Sequence, residues 1–417
     1  MTEKIKQRIE QLNRGEVPEG YKKTDVGIVP QEWEVKKLKD IGEFSKGKGL
    51  PGTEMKDFGI PCVGYGDIYT KYNYKFEKAL NFVDQKIADE SLPINKGTLL
   101  FTCSGETAIE IGKCVCYNGD EVIYAGGDIA VLEIKKDVYP LFTAYQQNID
   151  SSIKQKARYG QGHSVVHIYS DSLGKLVVAY PENVQEQQKI VEILSKWDKA
   201  IELQEKLIEK LEIQKKGLMQ KLLTPQKDWK TVPLKDILKE VNVKTKQNNQ
   251  YPVISSTKQG LFLQSEYFDK QVASEDNKGY KVLKYNQIVL SPQNLWLGNI
   301  NYNNKYDIGI VSPSYKIFDI CKDYDSNIIS SIMQTPRMLY NYALSSEQGA
   351  SIVRRNLNMD LFYEIVVYLP NKNEQIKISK KIKRFDQYYN LQTQKLQKLK
   401  EQQKAMQQLL LTGIVRV

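Results

Sequence analysis

The residues best suited to metal chemistry are few. His163 and His167 are the two histidines of the sequence and stand four residues apart, while Cys114 and Cys116 form a lone Cys-x-Cys pair. Either pair could contribute to a metal site, but two ligands do not complete a zinc centre. A solitary metal enzyme that uses His163 and His167 therefore remains an alternative, not the main prediction.

Nucleotide-binding and methyl-transfer motifs are incomplete or missing. Gly47-Lys-Gly-Leu-Pro-Gly52 satisfies the letters GxGxxG, yet Pro51 lies within it and no apolar helix follows, which disfavours a dinucleotide fold. The sequence has no GxxxxGK[ST] phosphate loop and no Asn-Pro-Pro-aromatic run of the kind that holds a flipped base in amino-methyltransferases. The sequence therefore predicts a binding protein with no catalytic residues.

Several loops carry side chains suited to recognition of nucleic-acid bases. Arg can pair with guanine, Asn or Gln with adenine, and Ser or Thr with several bases. For each loop, a solvent-exposed segment without any such contact is the alternative. The candidate DNA-binding residues are Lys46, Lys48, Tyr69, Lys71, Tyr72, Arg158, Gln161, His163, Ser164, Ser291, Gln293, Asn294, Arg354, Arg355 and Asn356.

Composition is compatible with an anionic partner and with a soluble protein. The 417 residues carry a net charge of +10 with a pI near 9.0, which admits nucleic acid without establishing it. Mean hydropathy is −0.49, and no run approaches the roughly 18 apolar residues of a membrane helix. Five scattered cysteines predict reduced thiols, and the charged first 14 residues lack a secretory signal, so we expect a cytoplasmic protein without membrane contact.

The elements that must position these loops are duplicated. Residues 186–224 align without gaps to residues 374–412, and 15 of 39 positions are identical. Each copy follows a proline that ends an apolar run, at Pro181 and Pro370. A shorter match links Trp33–Ile41 to Trp229–Ile237, whereas the residues between these anchors are largely unlike. Two similar frames therefore carry different contents.

The duplicated segments have the apolar periodicity of long helices. At ~1.5 Å per residue, 38 residues would span roughly 57 Å, so each helix needs a long partner, and the other copy is the obvious one. A mid-stripe Gln in each copy could fix the register. An ordinary structural brace is the alternative for the buried columns. The predicted coiled-coil seam consists of Ile190, Trp197, Gln204, Leu211, Leu218, Ile378, Phe385, Gln392, Leu399 and Met406.

These patterns predict an α+β protein with a pseudo-twofold internal repeat, in which two similar α/β domains are separated by an antiparallel coiled coil of two long helices. The predicted parts are a first domain with an N-terminal helical lead (1–181), a first long helix (182–224), a second domain (225–370), and a second long helix with the C-terminal tail (371–417).

Three segments together resemble a known family. Gly20–Trp33, the helix end Gly217–Thr224 and the helix end Ala405–Gly413 are similar, in order and duplication, to the specificity subunits of type I restriction-modification enzymes. The final stretch, Leu411–Val417, also resembles the usual ending of that family. The resemblance extends from about residue 20 over nearly the whole chain.

The resemblance implies that each globular domain is a target recognition domain that reads one half of an asymmetric, bipartite sequence in double-stranded DNA. It also implies no catalytic activity in this chain, two bound modification (adenine methyltransferase) subunits, and restriction (translocase and nuclease) subunits. S-adenosylmethionine, ATP and magnesium would then belong to those partners, and the outer helix face would bind the modification subunits. The rival hypothesis is a coiled-coil scaffold with two protein-binding lobes and no DNA readout.

Overall fold

The computed structural model describes residues 3–135, 137–162, 164–267, 276–348 and 355–417. It divides into two compact units: the first comprises Met1–Glu205 and Gln394–Val417, and the second comprises Lys206–Thr393. Each unit contains strands, short helices and part of both long helices. The predicted α+β class, with two long helices that pack together, is confirmed.

Short helices connect the strands, and a helix of 40 residues ends each half of the chain. In chain order the helices are α1 (Glu3–Asn13), α2 (Leu38–Ile41), α3 (Tyr65–Thr70), α4 (Gln85–Asp89), α5 (Pro140–Gln146), α6 (Asp150–Tyr159), α7 (Ser170–Leu173), α8 (Val184–Leu223), α9 (Leu234–Ile237), α10 (Gln264–Tyr267), α11 (Ser326–Met333), α12 (Pro336–Leu344), α13 (Met359–Glu364) and α14 (Lys372–Leu411).

The strands of the first unit are short and mostly antiparallel. They are β1 (Tyr21–Thr24), β2 (Gly27–Pro30), β3 (Glu34–Lys37), β4 (Gly42–Lys46), β5 (Ile60–Val63), β6 (Lys75–Phe76), β7 (Asn81–Val83), β8 (Leu92–Ile94), β9 (Leu99–Thr102), β10 (Ser104–Gly105), β11 (Cys114–Tyr117), β12 (Ile123–Ala125), β13 (Ile129–Ile134), β14 (Val166–His167) and β15 (Val177–Tyr180).

The strands of the second unit are also short and mostly antiparallel. They are β16 (Lys230–Pro233), β17 (Leu238–Val241), β18 (Ile254–Thr257), β19 (Gly260–Leu263), β20 (Lys281–Lys284), β21 (Gln287–Leu290), β22 (Ile300–Tyr302), β23 (Ile308–Val311), β24 (Lys316–Ile320), β25 (Ser346–Gln348), β26 (Arg355–Leu357) and β27 (Val366–Leu369).

The main sheets of the two units have the same arrangement of central strands. The main sheet of the first unit has the order β4-β13-β9-β11-β6, and that of the second has the order β17-β24-β21-β22. In both, the strand after the Leu-Lys-Asp-Ile helix (β4 or β17) pairs antiparallel with a later strand (β13 or β24). That later strand pairs antiparallel with a third strand (β9 or β21) that lies between the two in sequence. Strands β9 and β21 are buried along their whole length because apolar side chains cover both faces.

Hydrogen bonds at the anchors are also duplicated. The backbone N–H of Leu38 donates to the carbonyl of Leu176, and that of Leu234 donates to the carbonyl of Ile365, at 2.9 Å in each unit. We call such positions equivalent, meaning that they occupy the same place in the two copies. The predicted internal repeat is therefore present in the backbone as well as in the sequence.

The repeated tryptophans anchor the cores. Trp33 is 1% exposed and packs with Phe142 and the N-terminal part of α8 in the first unit. Trp229 is 7% exposed and belongs to the core that includes Phe362 in the second unit. Burial of such large side chains explains why the two Trp-anchored segments resist divergence in both copies.

Each long helix begins with the same contact. The side-chain Nε2 of Gln187 donates to the carbonyl of Pro181 at 2.8 Å, and that of Gln375 donates to the carbonyl of Pro370 at 2.9 Å. Asn183 and Asn371 accept backbone N–H groups of the first turn, as N-terminal caps do. Proline followed by a capping asparagine therefore sets the start of both helices.

Within each unit the two helix segments run antiparallel. In the first unit Glu205 pairs with Lys400 at 2.7 Å, and Asp198 accepts a hydrogen bond from Gln403. Residue numbers decrease along α8 while those of the contacting residues on α14 increase, as expected for antiparallel helices. All ten predicted seam residues are buried or half-buried; among them Ile190 is 0% exposed and Gln204 is 5% exposed.

In the second unit the pairing has the same sense. Lys215 forms an ion pair with Asp386 at 2.7 Å, and the hydroxyl of Tyr389 donates to Glu212 at 2.8 Å.

Among the residues described, no helix is long and apolar enough to cross a membrane.

Candidate nucleic-acid interface

One end of the main sheet in the first unit gathers the predicted contact residues. Lys46 ends β4 and lies opposite Ala130, while Thr102 ends β9 opposite Ile129. Both strands therefore end on the same side of the sheet, which we call the sheet edge. Lys46 and Lys48 are exposed there. Loops at the end of a rigid sheet can differ in sequence without cost to the core, which suits a recognition surface.

A small β-bridge closes the cluster at this edge. Strand β10, directly after β9, pairs with β14, so that Ser104 lies opposite His167. The hydroxyl of Ser104 is 2.9 Å from Nδ1 of His167. This pairing places residues 158–162 and 164–167 beside the sheet edge, and the side chains of Arg158, Gln161 and Ser164 are exposed there.

Tyr69 contributes to the same cluster through its hydroxyl. The Thr102 hydroxyl donates to it at 2.7 Å, and it donates to the carbonyl of Glu110 at 3.3 Å. Burial raises the pKa of Tyr69, so the phenol stays protonated and can still donate. The ammonium of Lys113 holds the end of α3 by donating to the carbonyls of Tyr69 and Tyr72, at 3.2 and 2.6 Å.

Two other predicted residues of the first unit have structural surroundings. Tyr72 is 7% exposed and stacks on Phe76 with ring centroids 4.1 Å apart, so we do not retain it in the interface. Lys71 is exposed but forms an ion pair with Asp67 at 2.9 Å. His163 lies outside the described residues.

The second unit forms a corresponding cluster from different side chains. The loop after β21 approaches β26, where the backbone N–H of Arg355 donates to the carbonyl of Gln293 at 3.2 Å. The Arg355 guanidinium lies over the Trp296 ring, 4.3 Å from its centroid. A guanidinium is planar, and its contact with an indole limits the orientations of that plane, which suits bidentate pairing with a base edge.

The remaining predicted residues of this unit are divided between surface and interior. Gln293 and Asn356 are exposed, and Asn294 is half-buried. Ser291 is 3% exposed, and its carbonyl accepts the N–H of Asn294, so its position shapes the loop and cannot contact a partner without rearrangement. Arg354 lies outside the described residues.

The two clusters occupy equivalent places. In the first unit, the residues that follow β9 bond to the segment that leads into α7 and then β15. In the second unit, the residues that follow β21 bond to the segment that leads into α13 and then β27. His167 in the first unit and Arg355 in the second both lie at this contact, where the residue equivalent to His167 is Asn356, the neighbour of Arg355. One scaffold therefore presents an imidazole in one unit and a guanidinium in the other.

Sequence reasoning missed two aromatic side chains in these clusters. Trp296 was not predicted because the predicted loop residues end at Asn294, two positions before it. Tyr169 follows Ile168, whose N–H donates to the carbonyl of Cys103, and its ring is 57% exposed. An aromatic residue within or next to a polar loop was the signal that could have identified both.

The cysteines are not placed for chemistry. Cys114 and Cys116 lie on buried strand β11, and burial raises the pKa of Cys116 to about 12 and raises that of Cys114 as well. Cys103 lies next to the first cluster, and burial, with Asp128 nearby, raises its pKa to about 11. These thiols are protonated at neutral pH. Over the described part of the chain, no group of three or more His, Cys, Asp or Glu side chains could hold a metal ion.

Comparisons with known proteins identify the class. Residues 30–213 match the family model described as the type I restriction modification DNA specificity domain. A Methanocaldococcus jannaschii protein named as the specificity subunit of the type I restriction enzyme MjaX is 27% identical over 440 residues, covering 96% of this chain and 97% of the relative. The MjaVIII specificity subunit of the same organism is 23% identical over 448 residues, covering 96% of both chains.

Solved structures agree on the fold. The S subunit of a type I restriction-modification system from M. genitalium has a TM-score of 0.52 at 15% identity and covers 91% of this chain and 96% of its own. A chain from a structural study of complex assembly and conformational transition of the type I R-M system has a TM-score of 0.59 at 11% identity, covering 93% of this chain and 99% of its own.

A duplicated α+β scaffold with two paired long helices is the fold that this chain shares with those S subunits. Residues 30–213 match the type I restriction modification DNA specificity domain, and the chain is similar over nearly its whole length to type I restriction enzyme specificity subunits, so the resemblance identified from the sequence is confirmed.

Proposed function

We propose that this chain is the DNA-reading subunit of a type I restriction-modification complex, and that its two clusters read the two halves of an asymmetric, bipartite sequence in double-stranded DNA. The observation that carries the proposal is the duplicated scaffold with unlike side chains at equivalent places. Identical readers would imply a symmetric site, whereas His167 and Arg355 present different hydrogen-bonding groups.

The proposal assigns separate tasks within each cluster. Exposed Lys46 and Lys48 contact phosphates of the first half-site, because lysine serves as a point charge without base preference. Arg158, Gln161 and His167 contact base edges there. In the second half-site Arg355 and Gln293 play the base-reading part, with Trp296 as the support of the guanidinium.

The proposal leaves the chemistry to partners. Two modification subunits bind the exposed faces of the long helices and methylate adenine, and restriction subunits join them to translocate and cut DNA. S-adenosylmethionine, ATP and magnesium are bound by those subunits, not by this chain, and the complex works in the cytoplasm. The incomplete nucleotide motifs and the protonated, buried thiols of this chain support that division.

Sequencing of methylated adenines in a host that expresses this protein with its modification partner tests the proposal. We expect one split motif with two different halves and a fixed gap. Expression of the modification partner without this chain is the control and should leave that motif unmethylated. A continuous or palindromic motif, or no motif, would contradict the proposal and favour the scaffold hypothesis.

A further inference from the structure

An apolar groove opens on the second unit, and its volume is about 840 Å³. Its walls are the α8 segment from Glu212 to Leu223, the first turn of α12, and β27. Val366 of β27 lines the groove and is 40% exposed. A contiguous exposed apolar surface on a polar protein marks a place where another chain segment packs.

The equivalent place in the first unit is covered by the chain itself. The β1–β2 hairpin lies there: the hydroxyl of Tyr21 donates to the carbonyl of Gly413 at 3.0 Å, and the side chain of Gln155 on α6 donates to the carbonyl of Asp25 at 3.3 Å. Val26 and Val29 of this hairpin are 0% exposed. The hairpin therefore fills its seat with apolar side chains.

The seat is duplicated but the hairpin is not. Between Leu223 at the end of α8 and Trp229 there are five residues, too few for a hairpin such as Tyr21–Pro30. The second unit thus keeps the seat without the segment that covers it in the first. The equivalent seat residues are Leu411 and Leu223, Thr412 and Thr224, and Val177 and Val366.

Charge at the rim shows what kind of segment fits. In the first unit Lys404 pairs with Asp150 at 3.1 Å, but at the equivalent positions the second unit has Lys216 and Pro336, so that carboxylate is lost. Arg337 stands next to Pro336, exposed, with its guanidinium 4.1 Å from the Tyr368 centroid. The rim of the groove is therefore basic.

A second copy of this chain already uses its hairpin. Val26 and Val29 are buried in the copy's own first unit, so the hairpin would have to leave that seat before it could enter the groove of another copy. The basic rim instead favours a segment that carries carboxylates at its flanks.

We propose that this groove seats an apolar strand or hairpin with acidic flanks, supplied by a different protein. The binding site is separate from the DNA-reading clusters and does not depend on them. The partner segment takes the place that β1–β2 occupies in the first unit and supplies the carboxylates that Lys216 and Arg337 lack.

The probe for this proposal is a peptide of residues 18–33 that carries Lys23→Glu, an exposed position, and keeps Lys22, which donates to the carbonyls of Gln31 and Trp33. The peptide is cyclised because an isolated hairpin is only marginally folded in water. We expect it to bind the full-length chain with micromolar affinity, measured by fluorescence anisotropy. Val366→Asp in the chain should weaken binding at least about 10-fold. Val35→Asp is the matched control, since Val35 is a strand valine of the first unit with 36% exposure, and should leave binding unchanged.

A charge swap keeps the test valid even if Val366→Asp disturbs folding. Lys216→Glu, an exposed helix substitution, should reverse the preference between the modified peptide and the unmodified one. No binding of the modified peptide, or binding that ignores both substitutions, would overturn the proposal. Tighter binding of the unmodified peptide, with self-association of the chain that Val366→Asp removes, would overturn it in favour of a second copy.

Discussion

At the scale of single residues, the proposed DNA recognition depends on side chains that differ where the scaffold repeats. Arg355 shows how the scaffold prepares such a side chain: its backbone is tied to Gln293, and its guanidinium rests on Trp296. A guanidinium that is already oriented loses little conformational freedom when it pairs with a base. The binding free energy of the second half-site should therefore depend strongly on this one residue.

Arg355→Ala should weaken binding of the complex to its own site by about 10- to 100-fold, since one bidentate base contact contributes ~1–3 kcal/mol of discrimination. Arg8→Ala is the control, because Arg8 also lies over an aromatic ring, 5.1 Å from the centroid of Tyr21, outside both clusters. Competition binding against an unrelated duplex measures both effects. Equal losses for the specific and unrelated duplexes would show a phosphate contact instead of base readout.

Lys156 gives a second prediction, about stability and pH. Its ammonium is buried and donates to the carbonyls of Gly112 and Gln147, at 2.6 and 2.8 Å. Burial lowers the pKa of Lys156 to about 8, whereas an unfolded lysine titrates near 10.5. Between these values the unfolded chain binds more protons, so the free energy of unfolding should rise with pH.

Relative to Lys156→Met, the wild-type protein should therefore gain about 1.4 kcal/mol per pH unit between pH 8 and 10. Urea denaturation of both proteins across this range measures the difference. A constant difference would mean that Lys156 keeps an ordinary pKa in the folded protein.

The candidate site was predicted in part. Loop composition identified Arg158, Gln161, Gln293 and Arg355, which the structure leaves accessible at the sheet edges. Composition alone could not separate these residues from Tyr72, a similar polar-aromatic loop residue whose ring stacks in a core. Whether a loop residue faces outwards depends on long-range packing that local sequence does not contain.

At the scale of elements, the structure uses one acidic position of the repeat in two ways. Asp198 and Asp386 are equivalent. Asp198 accepts hydrogen bonds from Tyr145 and Gln403. Burial raises the pKa of Asp198, whereas these two hydrogen bonds lower it. Asp386 instead forms a half-exposed ion pair with Lys215.

Asp198→Ala should therefore destabilise the protein by about 2 kcal/mol, because it removes the acceptor of the Gln403 amide and leaves the Tyr145 hydroxyl with only the longer contact to Ser195. Asp386→Ala is the matched control and should cost ~0–1 kcal/mol, as expected for an exposed ion pair. Thermal unfolding measures both. Equal destabilisation by the two substitutions would contradict the asymmetry.

Elements with a strong sequence signal were predicted closely. The periodicity of the duplicated segments 186–224 and 374–412 matches α8 (Val184–Leu223) and α14 (Lys372–Leu411). The β1–β2 hairpin was missed. Its strands are short and alternate weakly, and they depend on contacts with α6 and the C-terminal tail that lie far away in sequence.

At the scale of the whole molecule, the proposed split site requires a fixed distance between two readers. The long helices are the elements that continue from one compact unit into the other. Their seam side chains and ion pairs fix the register of the helix segments inside each unit. A change in helix length should therefore appear as a change in the DNA motif.

Insertion of four residues into α8 should alter the gap between half-sites or prevent assembly with the modification subunits, because it adds ~6 Å and shifts the register against α14. Methylated-adenine sequencing shows the gap, and size-exclusion chromatography shows assembly. An intact complex with an unchanged gap would contradict the helices' role in spacing.

The independence of the two readers is the central claim. Replacement of residues 34–181 by the corresponding segment of another specificity subunit leaves the second unit's cluster, including Gln293, Trp296 and Arg355, untouched. The direct measurement is the methylated motif of this chimaera in a host with the modification subunit. We predict that one half of the motif changes while the other half and its methylated adenine stay the same. A chimaera in which both halves change would contradict the account.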